Sequence, residues 1–269
     1  MSDTLRLTIL GCGSSPGTPR ITGDWGACDP AEPRNRRSRS SALIERVSGE
    51  GTTTVVIDCG PDFRLQMLAA QVSRLDAVLI THPHADHIHG LDDLRGYNQD
   101  SKALIPVHSD AATHARLLEA FGYCYRTPTG SDYRPIVRHV PIEPNEVFAV
   151  DGPGGPLSIR AFRQVHGSIH SLGFRIGPLA YCTDVSDFPP AAVEAIEGAE
   201  HIVIDALQYR PHPSHLSLDQ ALDWIARLKV GRATLTHMHT PLDYATLCAA
   251  LPAQVRPGHD GLRLEFPVD

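Results

Sequence analysis

The segment His82-Pro83-His84-Ala85-Asp86-His87 places four metal-competent side chains within six residues. Several imidazoles and a carboxylate forced onto one short turn are costly to hold together without a cation. With a cation they become ligands. Neutral imidazole suits zinc, manganese or iron, and the carboxylate adds compensating charge. The turn directly follows the apolar run Ala77-Val78-Leu79-Ile80, so the donors sit at the end of an expected strand.

Three further candidates also follow strand-like runs. His166 ends Leu157 to Val165, Asp184 follows Tyr181-Cys182-Thr183, and His237 follows Ala233-Thr234-Leu235-Thr236. Taken alone, His166 at a strand end reads first as a surface residue, and Asp184 reads equally as a turn or helix cap. The Thr236-His237 ending repeats Thr81-His82. His239 is the alternative to His237, and His89 reads as a neighbour of the donors or a surface residue.

The elements that must position these residues follow from the same pattern. Strands are expected at Arg6 to Leu10, Ser41 to Val47, Thr53 to Asp58, Asp76 to Thr81, Leu104 to Val107, Leu157 to Val165, Leu172 to Ile176, Leu179 to Cys182, His201 to Ala206, Ala233 to Thr236 and Leu262 to Phe266. Helices are expected at Asp62 to Ala70, Asp110 to Ala120, Pro189 to Glu197 and Asp243 to Ala250. Another runs from Ser217-Leu218-Asp219-Gln220, a capping box, to about Leu228. Residues 121–156, rich in Tyr, Pro and Gly, read as an irregular insertion near the site. Strands in both halves with helices between them fit two sheets packed face to face, with helices outside, as one domain over 1–269.

Composition narrows the function classes. The chain has 269 residues, 42% hydrophobic and 20% charged, which fits a globular protein with a sizeable core. A net charge of −7 argues against bulk nonspecific attraction to nucleic acid or acidic membranes while permitting a local basic patch. No apolar run reaches membrane-spanning length and the first residues lack a signal-peptide pattern. The six cysteines are scattered and form no C-x-x-C, which fits reduced thiols in the cytoplasm.

With these residues in hand, the chain resembles the metallo-β-lactamase superfamily. The resemblance runs from about Leu5 to about Glu265. It implies an α+β fold, the four-layer αββα sandwich, with two divalent metal ions, zinc or manganese, at one edge. It assigns His82, His84 and His166 to one metal and Asp86, His87 and His237 to the other, with Asp184 shared. It also implies a water between the two cations, activated to hydroxide near neutral pH.

Two features favour phosphodiesters within that superfamily. Pro213-Ser214-His215-Leu216-Ser217 resembles the extra histidine motif of tRNase Z and PhnP-type phosphodiesterases, which makes His215 an expected catalytic residue; Asp86, which the resemblance assigns to the second metal, is the other, expected to orient the hydroxide. An expelled alkoxide is a poor leaving group without a proton, which His215 can supply or accompany by holding the phosphate. The run Arg34-Asn35-Arg36-Arg37-Ser38-Arg39 offers guanidinium forks for phosphate oxygens, with Arg37 and Arg39 nearest the next strand. It reads equally as a solvated or internally paired loop. The opening Gly11-Cys12-Gly13-Ser14-Ser15-Pro16-Gly17-Thr18-Pro19 and the ending His259-Asp260-Gly261-Leu262 also resemble PhnP-like proteins. The PhnP cysteine cluster that binds a structural zinc has only Cys28 as a counterpart here. The expected substrate is therefore a small phosphodiester or nucleotide. Alternatives are tRNA 3′-processing, with nucleic acid a permitted but disfavoured partner, and acyl hydrolysis of a thioester or lactone. No membrane partner is expected, and a homodimer is compatible with this reading.

Overall fold

The computed structural model describes residues 3–268. Its strands are β1 (Thr4–Gly11), β2 (Ser41–Ser48), β3 (Gly51–Ile57), β4 (Ala77–Leu79), β5 (Ile105–Ser109), β6 (Val137–Pro141), β7 (Val147–Val150), β8 (Leu157–His166), β9 (Ile169–Ile176), β10 (Leu179–Cys182), β11 (His201–Asp205), β12 (Arg232–Thr236), β13 (Val255–Pro257) and β14 (Arg263–Pro267). The α-helices are α1 (Phe63–Ala69), α2 (Ala85–Ile88), α3 (Arg95–Ser101), α4 (Ala111–Tyr125), α5 (Pro190–Ile196), α6 (Leu218–Leu228) and α7 (Tyr244–Ala250).

Two seven-stranded sheets result, ordered β14-β1-β2-β3-β4-β5-β6 and β13-β12-β11-β10-β9-β8-β7. Each is half antiparallel and half parallel. In the first, pairing turns parallel from β3 onward through β6. In the second, β7 to β10 pair antiparallel and β10 to β13 parallel.

Side-chain alternation explains the layers. Ile44, Val55, Ile57 and Leu79 point into the core between the sheets, with Phe162, Phe174, Tyr181 and Leu235 from the second sheet. Their neighbours Leu43, Val56, Val78 and Ile80 point outward against Phe63 and Met67 of α1 and Leu117 of α4. On the far side Ala192 and Ile196 of α5 and Trp224 and Ile225 of α6 cover the second sheet. The αββα expectation holds.

Helix α6 starts as the sequence predicts. Ser217 Oγ accepts from Gln220 N at 3.3 Å, and Ser217 N donates to Gln220 Oε1 at 2.9 Å. Helices α3 and α6 both stop on a lysine in the left-handed region, Lys102 at φ 58° and Lys229 at φ 54°.

The span 121–156 needs correction. It is no irregular insertion: α4 continues to Tyr125, and β6 and β7 then become the edge strands of the two sheets. Both strands are short and partly exposed, which weakens the alternation that marks a strand. Among the described residues no helix is long and apolar enough to cross a membrane.

Candidate metal centre

The carboxyl ends of the parallel strands converge at one edge of the sandwich, where open sheets commonly place ligands. Strand β4 leads through Ile80 and Thr81 to His82, and α2 begins immediately after His84. Asp86 and His87 therefore lie on the first turn of a helix and look back toward the strand end. Asp58 directly follows the neighbouring strand β3, and the two turns touch. A Cβ on Gly60 would lie 1.9 Å from Asp86 O, so only glycine permits this approach. From the second sheet, β8 delivers His166, β10 leads to Asp184, and β12 leads to His237.

All seven candidate donors meet. Asp184 Oδ1 lies 3.7 Å from His82 Nε2 and 3.8 Å from His166 Nε2. Its other oxygen, Oδ2, lies 3.2 Å from His87 Nε2 and 3.2 Å from His237 Nδ1. His84 Nδ1 is 2.9 Å from His82 Nε2 and 3.3 Å from His166 Nε2. Asp86 Oδ2 is 3.4 Å from His87 Nε2. The side chains fall into compact trios, His82-His84-His166 and Asp86-His87-His237, with Asp184 facing both. Three residues of this end, Asp58, Asp184 and His237, have φ of 63°, 52° and 56°. Left-handed non-glycine residues each cost about 1–3 kcal/mol and cluster where function fixes the backbone.

The donor chemistry fits divalent cations. His87 Nδ1 is bonded to Asp58 Oδ2 at 2.6 Å, which leaves Nε2 to face the centre. That buried nitrogen has no hydrogen-bond partner, yet carboxylate oxygens of Asp86 and Asp184 stand close to it. Lone pairs converging in this way are reconciled by a positive charge. Burial opposes a charged His87, but Asp184, Asp58 and Asp86 outweigh it and hold its pKa well above the usual value. Burial and the neighbouring His87 push His82 well below the usual range, toward the neutral form a metal requires. Burial also opposes a charged Asp184, but His237, His87 and His82 hold it well below the usual carboxylate range.

Further hydrogen bonds orient the donors. Asp58 accepts from Thr81 N at 2.8 Å as well as holding His87, and Thr81 Oγ1 lies 2.9 Å from His82 Nδ1. Ser214 O lies 2.6 Å from His166 Nδ1, and Ser40 Oγ lies 3.1 Å from His237 Nδ1. The Asp58 carboxylate and the Ser214 carbonyl are partners of the kind that fix a ligand's tautomer and ring orientation.

His215 borders the donors. Its ring stacks on His237 at 4.7 Å and 10°, and stands edge-on to His166 at 4.8 Å. One of its nitrogens lies within 4.8 Å of donor atoms on His166 and Asp184. Nδ1 is bonded to the buried Asp205 Oδ2 at 2.7 Å. Burial opposes the imidazolium, but Asp205, with Asp184 and Asp86, pushes its pKa up to about 9. A cation at the adjoining donors would pull it back down.

The two arginines need correction as substrate ligands. Arg37 is buried, and its guanidinium donates to Leu242 O at 2.6 Å, Asn35 Oδ1 at 3.3 Å and His239 O at 3.4 Å. Arg39 is spent on Asp62, with Nη1 at 2.9 and 3.0 Å from its two oxygens. Nor does His239 replace His237: its ring bonds Ser14 Oγ at 2.9 Å and Arg20 Nη2 at 2.7 Å. Sequence reasoning missed Asp58 and Asp205. Each closes a buried apolar run, Val55-Val56-Ile57-Asp58 and Ile202-Val203-Ile204-Asp205, the same signal that marked Asp184.

Residues 53–238 match the model of the beta-lactamase superfamily domain. The chain belongs to this superfamily. A crystal structure of a diphosphatase from the PhnP family superposes on it with a TM-score of 0.87, 33% identity, and coverage of 98% of this chain and 97% of that one. A ribonuclease Z of Mycobacterium sp. (strain KMS) is 27% identical over 270 residues, covering 87% of this chain and 92% of that protein. An octanoyltransferase of Porphyromonas gingivalis (strain ATCC BAA-308 / W83) is 33% identical over 267 residues, covering 96% of this chain and 51% of that protein. This superfamily member thus spans about half the length of that relative. The superfamily normally binds divalent metals such as zinc, and the histidine and aspartate cluster is a candidate for that role.

Proposed function

We propose that this chain is a dinuclear metal-dependent phosphodiesterase acting on a small cyclic or nucleotide-type phosphodiester. The observation that carries the reading is His215, fixed by Asp205 beside the donor cluster. His82, His84, His166 and Asp184 would hold one cation, and Asp86, His87, His237 and Asp184 the other, as zinc or manganese. When bound, such cations polarise the phosphoryl oxygens and make a water nucleophilic near neutral pH. Asp86, as a ligand of the second cation, makes turnover depend on that cation.

Asp205 accepts from Nδ1–H of His215 and thereby fixes the ring's orientation. Nε2 remains to donate a proton to the departing alkoxide oxygen. The PhnP-family diphosphatase and ribonuclease Z relatives support phosphorus chemistry. A small substrate is favoured over tRNA because β6 and β7 complete the sheets and offer no projecting arm from 121–156.

The test is His215→Ala, assayed on a phosphodiester with an alkoxide leaving group and on a nitrophenyl ester. The expected loss in kcat is about 10²–10⁴ on the first and far smaller on the second, with metal content unchanged. An equal loss on both would make His215 a phosphate holder. Turnover of acyl esters, with no phosphodiester or precursor tRNA cleaved by the metal-loaded protein, would overturn the reading.

A further inference from the structure

The opposite ends of the same strands carry a second polar cluster. Register pairs His201 with Arg232 across β11 and β12, and Thr234 with Arg256 across β12 and β13. Side chains two apart on a strand share a face, so Arg232 and Thr234 place all four residues on one face of the sheet. His201, Arg232 and Arg256, with Gln254, line a cavity of about 500 Å³.

His201 is 2% exposed, and its Nε2 lies 2.9 Å from Thr234 Oγ1. Burial, then Arg256 and Arg232, push this ring down to about 4, so both guanidinium charges act on the same buried group. Among the described residues neither arginine forms an ion pair. Both arginines are exposed to solvent. Two uncompensated guanidinium forks over a concave surface match a multivalent oxyanion better than a neutral ligand.

We propose that this cavity is a binding site for a phosphate-type oxyanion, held between Arg232 and Arg256 and separate from the metal centre. The ligand is free phosphate or the phosphate group of a larger metabolite; the recognition chemistry is the same. Guanidinium N–H groups donate to its oxygens, and His201 closes the floor of the cavity. This inference does not depend on the phosphodiesterase reading.

Calorimetric titration of the metal-loaded protein with inorganic phosphate, at about 0.1 M salt to screen weak surface attraction, tests it. Wild type is expected to show one binding event that Arg232→Gln/Arg256→Gln lacks. Thermal stability without phosphate and phosphate binding at the metal centre should be the same in both. Each single variant should weaken the event about tenfold or more, the size of a lost hydrogen bond to a charged group. The single variants keep the question decidable if the double variant fails to fold. A parallel titration with adenosine monophosphate separates the sources: tighter binding than phosphate points to an esterified ligand, equal or weaker binding to free phosphate. Isotherms of wild type and variants that superimpose would overturn the proposal.

Discussion

The turn His82–His87 and the loop Arg34–Arg39 are similarly dense in reactive side chains, but the fold treats them in opposite ways. Each arginine of the loop has a partner from the chain itself. Arg34 pairs with Glu32 at 2.7 Å, Arg36 lies over the Trp25 ring at 5.2 Å, Arg37 binds backbone carbonyls, and Arg39 binds Asp62. The histidine turn is left open: His87 Nε2 is buried with no hydrogen-bond partner while carboxylates crowd it. Density of functional side chains therefore identifies a site only when the protein leaves their bonding capacity open. Partners for every guanidinium make the loop structural; donor atoms that converge without a hydrogen-bond partner make the turn a place for cations.

Three substitutions probe this contrast. Removing the buried guanidinium should have the largest effect. Arg37→Met strands the Leu242 and His239 carbonyls and is expected to cost about 2–4 kcal/mol in denaturant unfolding. The surviving folded protein should keep its KM for phosphodiesters. A raised KM at unchanged stability would return Arg37 to the substrate side.

Asp58→Asn should have an intermediate effect of another kind. It weakens the bond that orients His87 while leaving every candidate ligand in place. Metal affinity, read by chelator competition, should fall about 10–100-fold. Unaltered affinity would show that His87 is held by packing alone.

Arg39→Gln is the mildest. The Asp62 pair is partly exposed, with side-chain exposures of 31% and 19%, so its loss should cost no more than about 1 kcal/mol. Steady-state kinetics should be unchanged. A selective loss of phosphodiester turnover would mean that Arg39 leaves Asp62 to meet the substrate.

Much of the architecture was legible because burial imposes a period. Runs such as Ala77 to Ile80 and His201 to Asp205 have no other home than the interior of a sheet, and Ser217 with Gln220 marks a helix start through local bonding alone. The donors were legible because each terminates such a run. Strands β6 and β7 were hidden because edge strands need only one partner and tolerate polar side chains. The arginine roles were hidden because their partners, Leu242 O and Asp62, lie far away in sequence. Asp58 and Asp205 carried the signal of Asp184, but nothing in their own segments distinguishes a group that faces a metal from one that faces a histidine.

The two helix-ending lysines, Lys102 and Lys229, are the only lysines in the chain. They divide it into three stretches, and the candidate donors are dealt among all three. His82, His84, Asp86 and His87 precede the first lysine, His166 and Asp184 lie between the two, and His237 follows the second. No stretch holds either trio together with Asp184. A cation bound at this edge would act as a cross-link between distant parts of the chain, closing long loops much as a disulfide does, and metal binding would become part of the folding free energy.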